Sequence, residues 1–400
     1  MNPLREKIEQ EIREHGPIPF SRYMEACLYG PEHGYYSRNA EQFGKAGDFY
    51  TSSDVHAVFG RLLARQFDEM WRALGTPQRI ELVELGPGRG LFAQDVLHWS
   101  EKKFPDFFRA LSYILVEKSP ALCKRIETTL SSHLESGKAV VCGNLFPAKK
   151  KTGRDTLSVA PITTEEDRAL ARNVPAIIFA NEFFDAFAVE VLSTKGSLRI
   201  GSRDHRFLEA WAPPSGEELE FLDRYSVHPE FDERIEVPLA AQRFMEQIGS
   251  TLQRAFLIAI DYGYTRAEQL AGRHRGTLKA MRQHSISENP YEAPGEQDIT
   301  TDVNFTALAA AAERHGMQTY NLVTQSQFLL GIGEANQFAD AFEECRIPQE
   351  RAKVALQLKH LVTPAGMGES FHVLVASKGV ERASVESLSG LNFGRNQIAR

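Results

Sequence analysis

The chain has 400 residues, with 46 Lys and Arg against 53 Asp and Glu, a net charge of −7, and it is 42% hydrophobic, 25% charged and 10% aromatic. That length and composition suit one elaborated globular domain or two, with a sizeable core. The acidic balance argues against a general nucleic-acid binder and leaves room for a basic protein partner, while no apolar run reaches the length of a membrane span. The basic run "AKKKTGR" at 148–154 reads as a solvated loop. The opening "MNPLREKIEQEIREHG" mixes acids and bases on an amphipathic pattern, so it resembles neither a signal nor a transit peptide. Four cysteines without a Cys-x-x-Cys pair fit a reducing compartment, and neither they nor the 12 histidines show metal-ligand spacing. The expectation is a soluble, cytoplasmic protein.

In chain order, residues 1–75 read as an N-terminal helical cap and loop. A helix ends at Gly16 before Pro17 and Pro19, and a second is closed by Gly30. The loop "PEHGYYSRNAEQFGKAGDFYTSS" leads to "DVHAVFGRLLARQFDEMWRAL", a helix with Ser52 or Ser53 as its cap. From residue 79 strands and helices alternate: "RIELVEL", "LSYILVEKS", "KAVVCGNL", "VPAIIFANEFFD" and "RAFLIAIDYGY" are the strands. This pattern predicts an α/β fold, a doubly wound parallel sheet with ligands at the carboxyl ends of its strands. The domain built on it is expected over 76–380, with insertions at about 195–250 and 265–300, a helical segment at about 325–360 and a tail at 381–400. Within the first insertion "VEVLSTKGSLRIGSRDHRFLEAWAPP" predicts an antiparallel excursion.

The stretch "RIELVELGPGRGLFAQDVL" at 79–97 runs a buried strand into Gly86, Gly88 and Gly90, then opens a helix. Glycine permits tight turning and close approach of backbone to a ligand. A dinucleotide fingerprint needs its third glycine three residues after the second, where Leu91 stands, and a P-loop needs Gly-Lys-Ser/Thr, which is absent. Alternating Gly-x-Gly-x-Gly suits a nucleoside without phosphate that carries its own ammonium and carboxylate, and S-adenosylmethionine is such a ligand. Glu84 is placed to attract the cationic amino-acid moiety, directly or through water. Glu117, at the end of the second strand, is placed to accept both ribose hydroxyls, and Asn144 after the third strand is a candidate for the adenine edge. The bland reading is a tight strand–helix turn without a ligand.

"FANEFFDAF" at 179–187 follows the fourth strand, where such a fold brings an acceptor to the methyl donor. Methyl transfer is an in-line displacement at carbon, and positioning supplies much of the acceleration. Asn181, Glu182 and Asp185 crowd polar groups among phenylalanines, where a carboxylate is costly unless paired, and a guanidinium is its natural bidentate partner. The alternative is a helix start capped by Asn181, with Glu182 meeting the dipole. Two loops are candidates to complete the site: 44–53 with Asp48, Tyr50, Thr51 and Ser52, and 293–305 with Asp298 and Thr300, His284 lying upstream.

"GDFYTSSDVHAVFG", "VELGPGRG", "ANEFFDAFAVE", "IDYGY", "PGEQDITTDVNF" and "GMGESFHVL" together resemble the MidA family of S-adenosylmethionine-dependent methyltransferases of bacteria and mitochondria, over about residues 15–378. The resemblance implies a class I methyltransferase fold with an N-terminal cap. It implies a donor that leaves as S-adenosylhomocysteine, cofactor glycines at Gly86, Gly88 and Gly90, the acid at Glu117, and the Asn-Glu-Phe-Phe-Asp motif at 181–185; Tyr50 and Thr51 of the 44–53 loop stand as candidates for the cofactor side. Mitochondrial members are similar to protein arginine methyltransferases acting on a subunit of respiratory complex I, so a protein acceptor, a respiratory-complex subunit, is implied, with no nucleic acid; a homodimer is left open. The family commonly has Pro-Glu where Ser53 and Asp54 stand, and often Leu-Pro where Phe187 and Ala188 stand, which alters the wall beside the acceptor site. Three functions are weighed: protein arginine N-methylation with Glu182, Asp185 and Asn181 at the acceptor, small-molecule methylation, and an S-adenosylmethionine-binding assembly factor without transfer.

Overall fold

The computed structural model describes residues 2–37, 57–146, 174–282, 285–287 and 289–393. The chain divides into two compact units. A sheet unit comprises Thr51–Asn181, Leu252–Ile260 and Gln318–Arg400; an insertion unit comprises Met1–Tyr50, Glu182–Thr251 and Asp261–Met317. Among the described residues no helix is long and apolar enough to cross a membrane.

The sheet is built on β1 (Ile80–Leu85), β2 (Leu111–Val116), β3 (Ala139–Cys142), β4 (Ala176–Asn181), β5 (Ala255–Tyr264) and β6 (Phe371–Lys378). Their order is β3-β2-β1-β4-β5-β6, with the short strand Gln318–Thr319 beyond β6. Pairing is parallel from β3 to β5, with Ile80 opposite Leu111 and Glu81 opposite Ala176. Every residue of β1 is buried, as strands covered on both faces require, and this is why β1, β4 and β5 read as nearly unbroken apolar runs. The chain leaves β1 outward in one direction through β2 and β3, then resumes on its other side with β4. The order therefore reverses between β1 and β4, the position at which open α/β sheets bind ligands. Helices Ala57–Ala73 and Leu91–Lys103 lock onto this centre through aromatic rings. Phe92 stacks on Phe179 of β4 at 4.5 Å, and Phe67 meets the same ring edge-on at 5.6 Å.

The insertion unit gathers segments that the sequence reading kept apart. The antiparallel excursion forms as predicted: Glu190–Ser193, Gly196–Arg203 and Arg206–Ala212 pair in succession, joined by Ile235–Val237 and the N-terminal strand Ile18–Pro19. Leu4, Ile8, Phe20 and Tyr23 of the first two helices share one apolar cluster with Val191, Leu198, Ile200 and Ile299. A smaller sheet of Lys279–Arg282, Ser285–Ser287 and Asp298–Thr300 completes the unit. One grouping differs from expectation: helix Ala57–Ala73, read with the N-terminal cap, belongs to the sheet unit. Its stripe of Phe59, Leu63, Phe67 and Met70 is fully buried there, and an apolar stripe of that width fixes where a helix packs.

Candidate functional site

In the sheet unit, β1 ends in the glycine loop. Gly86, Gly88 and Gly90 all take left-handed backbone, with φ of 65, 55 and 75°, which costs a residue with a side chain roughly 1–2 kcal/mol. The Gly86 N–H donates to the Val116 carbonyl at 3.1 Å and the Gly90 N–H to the Pro87 carbonyl at 2.9 Å, tying the loop to β2 and to itself. A Cβ built on Gly88 meets no described atom within 4 Å. Positive φ demands glycine there, and open space lies above it: a cradle that a side chain would fill.

Glu117, directly after β2, meets this loop. Its carboxylate accepts the Ser119 N–H at 2.8 Å and also the N–H of Gly88, so acid and glycine motif are one structure. Burial pushes its carboxyl up to about 7, against the pull of N–H donors from Ser119, Lys118 and Gly88. Glu84 lies within β1, 5% exposed, and accepts the Tyr113 hydroxyl at 2.8 Å. Burial pushes it up to about 8; the Tyr113 hydrogen bond opposes this, and the Glu117 carboxylate adds to it. Tyr113, two residues into β2, was not singled out in the sequence, because an alternating aromatic in a buried strand reads as core. Asn144 is half-buried in the turn after β3. Open glycine backbone, a buried acceptor for hydroxyls and the switch-point position fit a nucleoside. Tyr50 and Thr51, with Asp48, Ser52, Ser53 and Asp54, lie outside the described residues.

In the insertion unit, residues 182–187 form a turn rather than the start of a helix. Glu182 stands at φ 49°, an unusual conformation for a residue with a side chain. Asp261, late in β5 and 1% exposed, supports the turn: its Oδ2 accepts the N–H groups of Phe183, Phe184 and Asp185 at 3.2, 3.0 and 3.3 Å. Asp185 is itself buried; its Oδ2 accepts the Tyr262 hydroxyl at 2.5 Å and the Thr300 hydroxyl at 2.9 Å. Its Oδ1 is buried without a hydrogen-bond partner among the described residues. Thr300 thus joins the cluster, whereas Asp298 is held by the Tyr36 hydroxyl at 3.0 Å, and His284 lies outside the described residues. Asn181, the last residue of β4, is half-buried and ends the sheet unit, one peptide bond before Glu182.

Phe183, Phe184, Phe187 and Phe244 surround the turn with ring centroids 5.3–6.3 Å apart. Burial raises the Asp185 carboxyl, with the two hydroxyl donors and, more weakly, the backbone N–H groups of Ala186 and Asp185 opposing. Burial, then the Asp185 and Glu182 carboxylates, raise Asp261 further. Such a cluster favours a partner that brings positive charge and several fixed donors at once, as a guanidinium does. Sequence reasoning missed Asp261 and Tyr262. Their signal was a charged residue late in an apolar strand, "IAIDYGY".

Comparison with known proteins follows the same lines. The profile of a family described as S-adenosyl-L-methionine-dependent methyltransferases matches residues 62–323. The chain is 28% identical to the protein arginine methyltransferase NDUFAF7 homolog, mitochondrial, of Drosophila melanogaster, over 98% of this chain and 88% of that protein. It is 31% identical to the mitochondrial protein arginine methyltransferase NDUFAF7 of Xenopus tropicalis, over 83% of this chain and 76% of the relative. A COG1565 superfamily structure from Burkholderia thailandensis, bound to S-adenosyl-homocysteine, superposes with a TM-score of 0.78 at 26% identity, covering 97% of this chain and 94% of the other.

Proposed function

The chain belongs to the family of S-adenosyl-L-methionine-dependent methyltransferases, and from that premise we propose that its methyl acceptor is an arginine side chain of a protein. The observation that carries the proposal is a carboxylate pair on one turn: Glu182, half-buried with left-handed backbone, and Asp185, buried with one oxygen held by two hydroxyls. Charge supports a basic partner. The insertion unit, which bears this pair, has 30 Asp and Glu against 19 Lys and Arg, a net charge of −11; the sheet unit has 23 against 27, a net charge of +4. The names of the NDUFAF7 relatives support the same acceptor.

S-adenosylmethionine supplies an electrophilic methyl carbon on a sulfonium and leaves as S-adenosylhomocysteine. Gly86, Gly88 and Gly90 would let the backbone approach it, and Glu117 would accept its ribose hydroxyls. A guanidinium arrives protonated, since arginine does not lose its proton in proteins. Glu182 and Asp185 would take its N–H groups, fix the plane and turn one nitrogen toward the methyl carbon. A carboxylate of the pair would take the proton that the methylated nitrogen gives up and pass it to solvent. Burial of Asp185 would strengthen its hold on the cation.

The test is Glu182→Gln. Calorimetry with S-adenosylhomocysteine is expected to give a Kd within about twofold of the parent, while labelled-methyl transfer into proteins of a lysate from cells lacking this chain falls by ~10²-fold or more, the usual worth of such a group. Equal loss of binding and transfer, or unchanged transfer, would sink the assigned role.

A further inference from the structure

Asp261 sits beside the acceptor carboxylates, yet its own oxygens face the protein. Oδ2 takes three consecutive backbone N–H groups, those of Phe183, Phe184 and Asp185, and Oδ1 takes the N–H of Tyr262 at 3.0 Å. Four backbone N–H donors reach its two oxygens, a concave run of amides that holds a carboxyl group in place even though burial and the neighbouring Asp185 and Glu182 carboxylates raise it. The turn it closes begins at Glu182, whose φ of 49° is not one that a glutamate adopts freely. Strain of this kind persists only where surrounding structure over-determines it, and here the surrounding structure is Asp261. The next residue, Tyr262, donates its hydroxyl to Asp185 Oδ2, which also accepts from Thr300. The end of one strand therefore sets both acceptor carboxylates: backbone through Asp261, side chain through Tyr262.

We propose that Asp261 is a positioning residue for methyl transfer, holding the 182–185 turn so that Glu182 and Asp185 face the acceptor in one fixed arrangement. The proposal rests on the assignment of those two carboxylates to the acceptor. It predicts that Asp261 acts through Glu182 and Asp185 and not on the donor.

The experiment uses the full chain as Asp261→Asn, Asp261→Ala, Glu182→Gln and the double variant Glu182→Gln with Asp261→Asn. Three properties are read: amide hydrogen exchange at Phe183, Phe184 and Asp185, affinity for S-adenosylhomocysteine, and labelled-methyl transfer into the lysate. The alanine variant is expected to speed exchange at all three amides and to lower transfer by ~10²-fold, a loss typical of a displaced reacting group. The asparagine variant, which keeps one acceptor oxygen, is expected to fall between it and the parent. Donor affinity stays within about twofold in both, and in the Glu182→Gln background Asp261→Asn costs less than it does in the parent, since residues acting as one unit are non-additive. Multiplied losses in the double variant, or unchanged exchange in both Asp261 variants, would overturn the proposal. Should the alanine variant fail to fold, the asparagine variant carries the comparison. If the parent protein methylates no arginine, the acceptor assignment fails, while the exchange data still decide whether Asp261 holds the turn.

Discussion

The proposed role of Glu117 in holding the donor's ribose makes donor binding depend on pH near neutrality. Its carboxyl is pushed up to about 7, from an ordinary glutamate value of 4.5, first by burial and despite three N–H donors. A ligand whose two hydroxyls donate to it binds the ionised form. Between pH 8 and 6 that form drops from about nine-tenths to about one-tenth of the population, so apparent affinity falls ~10-fold, or about 1.4 kcal/mol. The sign for the free protein is opposite. Because the folded value lies above the unfolded one, stability from this group is complete below about 4.5 and lost as pH rises through about 7, and a bound ligand restores it. Calorimetry with S-adenosylhomocysteine at pH 6, 7 and 8 reads the effect directly. Glu117→Gln removes a charge-assisted acceptor of roughly 1.5–3 kcal/mol, so binding at pH 8 is expected to weaken by ~10–100-fold. In that variant the 6-to-8 dependence vanishes. A flat parent profile, or the same slope in the glutamine variant, would refute the reasoning.

Glu84→Gln keeps an acceptor for the Tyr113 hydroxyl but cannot ionise. Since burial raises Glu84 from 4.5 to about 8, the parent loses stability across that window, and the variant's advantage in melting temperature is expected to grow from pH 5 to 8 and then level; a constant offset would contradict the burial argument. Gly88→Val places a β-branched side chain at φ 55° with its methyls in the open space above the loop. Scanning calorimetry is expected to show a modest loss of roughly 1–2 kcal/mol, and S-adenosylhomocysteine binding should disappear; retained binding would mean that the ligand does not lie over Gly88.

Much of the sheet unit was legible because burial on both faces forces continuous apolar strands, and an alternating glycine loop has few purposes. Glu117 stood out in the sequence as an acid at the carboxyl end of a strand, and the structure joins it to the glycine loop. The acceptor side was less legible. Glu182 and Asp185 were visible as acids among phenylalanines, yet a helix start explained them equally well from sequence. What rules out the helix start is Asp261, 76 residues after Asp185 in sequence, whose carboxylate takes the amides that a helix cap would have taken. The insertion unit was illegible as a unit, because its core joins Leu4 and Phe20 to Ile200 and Ile299. Only the three-dimensional cluster, and no local pattern, records that partnership. Phe187 illustrates the same limit: a departure in sequence, it stacks on Phe184 at 5.6 Å and meets Phe183 at 5.3 Å, joining the aromatic wall.

The most direct test of the central claim is the chemical position of the transferred methyl. The full chain, supplied with methyl-labelled S-adenosylmethionine and a lysate from cells lacking it, should label a protein whose acid hydrolysate carries the label in methylated arginine. Glu182→Gln should nearly abolish that label. Label in methylated arginine that depends on Glu182 is the predicted result. Label confined to another residue type or to small metabolites, or arginine label indifferent to Glu182, would contradict the account.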